Sequence, residues 1–112
     1  MLTLVISQPP SLNKSYANRK KGGRQKTEAY SEWKTAAMWE IRAQLPPLIP
    51  GHVSVSIEVG LPRHPLSDLD NRIKPVLDAL EGAGVIENDN KVDKLTVWWG
   101  RHAETRITVR AV

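Results

Sequence analysis

Four side chains of this 112-residue chain have the types and spacing to do chemistry together. Asp68, Asp70 and Lys74 lie in the run Ser67-Asp68-Leu69-Asp70-Asn71-Arg72-Ile73-Lys74, and Asp89 follows in Glu87-Asn88-Asp89-Asn90. The chain is basic, with a net charge of +4. Clustered carboxylates on such a chain repel the anionic partner its charge attracts, unless a divalent cation bridges carboxylate to phosphate. Converging aspartates offer hard oxygen donors suited to Mg2+ or Mn2+, which binds through a few carboxylates and keeps exchangeable waters. A cation there lowers the pKa of an attacking water and stabilises charge on a scissile phosphate. Lys74 could neutralise the transition state or orient the nucleophile. His52, His64 and His102 are isolated, so a zinc site is not expected.

The spacing permits the aspartates to meet. Asp68 and Asp70, two residues apart on an extended approach to a helix, point to one side. Asp70 falls at the expected helix N-terminus, and Lys74 shares its face at i+4. The helix from Asp70 to Gly82 climbs about 18 Å at ~1.5 Å per residue. The chain from Gly82 to Asp89 extends at most about 23 Å, so it can return beside the helix start. Each residue also has a plainer use: Asp70 as a cap, Asp68 in a loop, Lys74 as an i+4 partner, Asp89 in a turn. On the residues alone both readings stand.

One domain, residues 1–112, has to position these groups. With 40% apolar and 25% charged residues, the composition is that of a soluble globular chain with a modest core. No apolar run approaches the ~18 residues of a membrane span. Residues 1–6 lack the length and basic flank of a signal peptide. The absence of cysteine removes disulfides and thiolate metal sites, and a cytoplasmic setting is expected. The positive charge is local. Lys14, Arg19, Lys20, Lys21, Arg24 and Lys26 occupy a stretch without acids, whereas residues 28–112 carry ten basic and twelve acidic side chains. Such an arm suits a phosphate backbone, an acidic protein or an anionic lipid surface, or is a solvated loop.

The expected element order is β-α-β-α-β-β, an α+β fold with a mixed sheet and two packed helices. A strand over 2–7 ends at Pro9-Pro10, and a basic loop over 11–26 follows. Thr27 is the expected N-cap of a helix over 27–44, with Tyr30, Trp33, Ala37 and Ile41 as its core stripe and Trp39 off it. Residues 52–60 alternate as a half-buried strand. Residues 61–67 connect it to a second helix over 70–81, buried through Ile73, Leu77 and Leu80, with Pro75 tolerated near its first turn. Gly82-Ala83-Gly84 ends that helix. Residues 94–99 and 105–111 read as a C-terminal hairpin. Trp98 and Trp99 alternate across their strand, so a sheet with one wet face can bury only one. The other is left for an interface or for stacking on a base.

The whole constellation is more specific than its parts. Asp68-x-Asp70-Asn71-x-x-Lys74-x-x-x-Asp78, then Gly82-Ala83-Gly84-Val85-Ile86 and Asn88-Asp89-Asn90-Lys91-Val92, resembles the RusA family of Holliday junction resolvases. The resemblance is strong over residues 68–92 and weak over the rest, including Pro9-Pro10-Ser11-x-Asn13 and the basic loop. It implies a small, Mg2+-dependent, homodimeric endonuclease that nicks four-way DNA junctions symmetrically in recombination and repair, often encoded by phages or prophages. It implies catalytic and metal-binding roles for Asp68, Asp70 and Asp89, a catalytic Lys74, and a supporting role for Asn71. Lys14, Arg19, Lys20, Lys21, Arg24 and Lys26 would grip DNA phosphates without reading sequence. The implied partners are branched DNA and a second copy of the chain, with no membrane and no small-molecule substrate. The chain departs from the family at Asn88, where a second acid often stands beside the position of Asp89. Glu87 is a candidate substitute. The alternative is a non-catalytic junction- or DNA-binding protein with a vestigial metal site.

Overall fold

The run after Gly51 alternates valine or isoleucine with polar residues, and it forms an inner strand of a four-stranded sheet. The computed structural model describes residues 1–9, 16–18, 24–26, 28–61 and 69–112. Its strands are β1 (Leu2–Ile6), β2 (Tyr16–Asn18), β3 (Arg24–Lys26), β4 (Val53–Val59), β5 (Val92–Trp99) and β6 (Thr105–Ala111). Its helices are α1 (Glu28–Ala43) and α2 (Ile73–Gly82). The sheet order is β1-β6-β4-β5, with β4 antiparallel to β6 and parallel to β5.

Sheet register explains the core. Val55 and Ile57 of β4 stand opposite Val109 and Ile107 of β6, and Ile107 stands opposite Leu4 of β1. In-register residues share a sheet face, and all five are fully buried together with Ala37 and Ile41 of α1 and Val76, Ala79 and Leu80 of α2. Each such valine, leucine or isoleucine side chain stabilises the fold by about 1.5–3 kcal/mol relative to leaving it in water. The other face carries Ser54, Ser56 and Glu58 of β4 beside Arg110, Thr108 and Arg106 of β6. The two-helix, mixed-sheet α+β domain agrees with the sequence reading.

The helices follow their apolar periodicity. Tyr30, Ala37 and Ile41 of α1 are buried, Trp33 packs on the core, and Trp39 is 70% exposed. Pro75 is the third residue of α2, where its missing N–H has no intrahelical partner to lose. At the other end Val85 N–H bonds Leu80 O at 2.9 Å and Gly84 N–H bonds Glu81 O at 3.1 Å, with Gly84 at φ +79°. This is a Schellman motif, and the glycine supplies its left-handed residue without a Cβ penalty. The Thr27 cap and, beyond Leu61, the 61–67 connection lie outside the described residues.

Three expectations are corrected. The C-terminal strands do not form a hairpin, because β4 lies between β5 and β6. Two strand spacings are about 9.6 Å, and five linking residues reach ~16 Å, so residues 100–104 can cross the end of β4. They bind it there: Gly100 N–H donates to Val59 O at 2.8 Å and Leu61 N–H to His102 O at 2.7 Å. β4 holds the inner position because its apolar residues are fully buried, whereas β5 carries Asp93, Lys94 and Thr96, which suit an edge. Second, the basic 11–26 segment is not all loop, since β2 and β3 pair antiparallel as a separate ribbon. Third, the second helix starts with a 3-10 turn, Leu69–Arg72, before α2 proper.

Candidate active site

The 3-10 turn carries Asp70 exposed at its second position and Asn71 half-buried at its third. Arg72 closes the turn and is 7% exposed. Its guanidinium donates to the carbonyl of Pro9 and stands 5.8 Å from the centroid of the Trp99 ring. Burial pushes its pKa down from the arginine range, but an arginine starts so high that it stays charged. Arg72 therefore ties the turn to the exit of β1 and to β5. The cation–π contact leaves Trp99 half-buried against the core, while Trp98, opposite Glu58, is 43% exposed.

One helical step further, Lys74 projects between two carboxylates. Its Nζ lies 2.5 Å from Asp89 Oδ2 and 3.2 Å from Asp78 Oδ1. The hydrogen bond to Asp89 raises the lysine pKa above its ordinary value, against partial desolvation and with Asp78 adding to the rise. The same bond, followed by the ammonium charge, holds the Asp89 carboxyl below the usual carboxylate range. Both groups are ionised at neutral pH. Asp78 is fixed from its other side, where Oδ2 accepts from the fully buried Tyr30 hydroxyl at 2.5 Å.

Asp89 opens a second 3-10 turn, Asp89–Lys91. Its backbone N–H donates to Glu81 Oε1 of α2 at 3.0 Å. Asn88 caps the turn, its side-chain oxygen accepting from Asn90 N–H at 3.0 Å. Glu87 is directed elsewhere, its carboxylate accepting from Gly51 N–H at 2.5 Å. It therefore does not stand in for an acid at position 88.

The structure thus brings Lys74 to Asp89 and sets Asp70 on the turn that leads into Lys74. Asp68 lies outside the described residues, as do Lys14, Arg19, Lys20 and Lys21, while Arg24 and Lys26 are placed as residues of β3. Among the described residues no three histidine, aspartate or glutamate side chains form a group able to hold a metal ion. His52 pairs with Asp93 at 2.6 Å. The donor chemistry at Asp89 fits a hard cation, being an ionised carboxylate with a side chain 34% exposed.

Sequence reasoning did not assign Tyr30, Asp78, Glu81 or Arg72 to this site. Asp78 had a signal in its i+4 spacing from Lys74. Tyr30 had none beyond its place in an apolar stripe.

The family model for endodeoxyribonuclease RusA matches residues 7–110. The crossover junction endodeoxyribonuclease RusA of Aquifex aeolicus (strain VF5) is 36% identical over 93 residues, which covers 81% of this chain and 74% of that protein.

Proposed function

The chain belongs to the RusA family of crossover junction endodeoxyribonucleases, nucleases that hydrolyse phosphodiester bonds, and on that premise we propose that it resolves four-way DNA junctions by paired symmetric nicks in recombination and repair. The observation that carries this reading is the meeting of Lys74 with Asp89, fifteen residues apart in sequence and 2.5 Å apart in space. Asp70 and Asp89, together with Asp68, would hold Mg2+ or Mn2+ through hard carboxylate oxygens. The bound cation supplies a Lewis acid and a water of lowered pKa. Lys74 stays an ammonium group and neutralises charge at the scissile phosphate. Asn71 supports the turn that presents Asp70. Lys14, Arg19, Lys20, Lys21, Arg24 and Lys26 hold phosphates and leave sequence unread.

The enzyme works as a homodimer. A junction has approximate two-fold symmetry, and a closed dimer supplies two equivalent sites for two matched cuts. Support comes from β5, an edge of the sheet with Leu95 38% and Trp98 43% exposed.

A labelled synthetic four-way junction with Mg2+ tests the reading. Paired symmetric nicks are expected. Asp70→Asn and a chelator should each abolish them, while Asp70→Asn leaves junction binding within a few-fold. Full cleavage by Asp70→Asn refutes the carboxylate assignment. Tight binding without nicks, in Mn2+ as in Mg2+, refutes the catalytic reading and leaves a junction-binding protein.

A further inference from the structure

We propose that Asp78, fixed by Tyr30, is the anchor that keeps Lys74 in position when Asp89 turns to a cation. In this reading Asp78 is a positioning residue that acts through Lys74, and its functional part rests on the cation site proposed above. The lysine ammonium has three N–H donors, and two of them meet carboxylates on different elements. The Asp89 contact is the shorter, at 2.5 Å against 3.2 Å. Yet Asp89 is the group the cation requires, and a divalent charge there repels the ammonium. A cation at Asp89 therefore weakens the closer contact and leaves the Asp78 contact untouched.

Asp78 is built for that task. It lies one turn along α2 on the face of Lys74. Its side chain is 16% exposed, against 34% for Asp89. One oxygen takes the lysine and the other takes the Tyr30 hydroxyl at 2.5 Å. Tyr30 belongs to α1 and is fully buried, with its ring 6.3 Å from that of Trp33. The Tyr30, Asp78 and Lys74 side chains thus form a strut from the packed interior to the site. With both oxygens engaged inside the protein, Asp78 is poorly disposed to join the metal ligands.

The first test needs neither metal nor DNA. In intact protein labelled with 15N-lysine, the Lys74 ammonium signal and its solvent exchange are read by NMR. Asp89→Asn should leave the signal ordered, and adding Asp78→Asn should release it. Release by Asp89→Asn alone overturns the anchor and leaves the nuclease assignment untouched. The ordered pattern in a protein that cuts no junction supports the anchor and removes the nuclease reading.

The second test reads coupling. Asp78→Asn and Tyr30→Phe should each lower kcat about ten-fold through misplacement of Lys74, with junction affinity within about two-fold. Asp78→Asn should also weaken Mn2+ binding, followed by the electron paramagnetic resonance of free Mn2+, by about ten-fold, because Lys74 then stays on Asp89. In a Lys74→Met background that loss should vanish. An equal loss in both backgrounds overturns the proposal, as does a fall in thermal stability with kcat and Mn2+ affinity unchanged. Tyr30→Phe removes a single oxygen and carries the kinetic test if Asp78→Asn folds poorly.

Discussion

Lys74 should act as a fixed cation and never as the proton acceptor. A lysine at its ordinary pKa of 10.5 is deprotonated in about one molecule per thousand at pH 7.5. In the metal-free protein the hydrogen bonds to Asp89 and Asp78 raise that pKa further, so the neutral form is rarer still, and the Asp78 contact is the one that a cation at Asp89 leaves in place. A group that scarce gives no useful general base at neutral pH. A preorganised cation facing developing charge, by contrast, contributes about 10²–10³ to kcat. Lys74→Met is therefore expected to lower kcat by about that factor. Lys74→Arg, which keeps the charge in a different shape, should recover about ten-fold of it. Single-turnover cleavage of a labelled junction between about pH 6 and 9.5 is the assay, since pH–rate limbs report the essential acids and bases. Wild type and Lys74→Arg should share one profile shape. An alkaline limb of unit slope in the wild type that disappears in Lys74→Arg would refute the reasoning. Stability follows the same signs. The raised lysine contributes fully below its unfolded pKa and loses its effect as pH rises through the folded value. The depressed Asp89 contributes fully above the unfolded carboxylate value and loses its effect as pH falls through its own lower one. Between those limits the pair is constant and, with side chains 46% and 34% exposed, small, at about 0.2–1 kcal/mol.

Gly60→Ala should cost about 2–3 kcal/mol, since its Cβ would strike the backbone carbonyl of Ala103, and an unchanged denaturation midpoint would contradict that close approach. Leu45 is 86% exposed at φ 54°, a conformation costly to a residue with a Cβ. Leu45→Gly should therefore stabilise by about 0.5–1 kcal/mol, seen as a melting temperature higher by about 4 °C. Alanine at Lys20, Lys21 and Arg24 together should weaken junction binding and flatten a log–log salt slope near about −5 by about 2.7 units, and an unchanged slope would show that these residues touch no phosphate.

Sequence patterning located what short-range physics controls. The 3.6-residue stripe of α1, the alternation of β4 and the glycine exit of α2 each depend on neighbours within one or two turns, and each was legible. The pairing of β5 and β6 was not. A short link between two strands favours a hairpin, and only the tertiary preference of β4 for the inner position reverses it. The β2–β3 ribbon was hidden for a related reason, since three-residue strands give too few periods to show alternation. In the site, the i+4 spacing of Lys74 and Asp78 is a local signal, whereas the Tyr30 hydroxyl reaches Asp78 across 48 residues and leaves no local trace.

The placement of Asp89 shows why one departure from the family pattern is structurally tolerable. The segment before it is fixed repeatedly. Gly84 closes the Schellman turn, Ile49 N–H bonds Val85 O at 2.8 Å, and Val85 and Ile86 are buried in the core. Glu87 then holds Gly51, and Glu81 holds the Asp89 backbone. Residue 88 adds a cap to this frame, and asparagine and aspartate cap a helical turn about equally well. Asn88 therefore preserves the geometry that an acid would give at this position. What it changes is charge, leaving Asp89 without an acidic neighbour on its N-terminal side at position 88. The ion pair that dominates Asp89, with Lys74, lies outside that change. The departure therefore leaves intact the backbone that presents Asp89, and under the proposed function it bears only on how strongly the site would draw a cation.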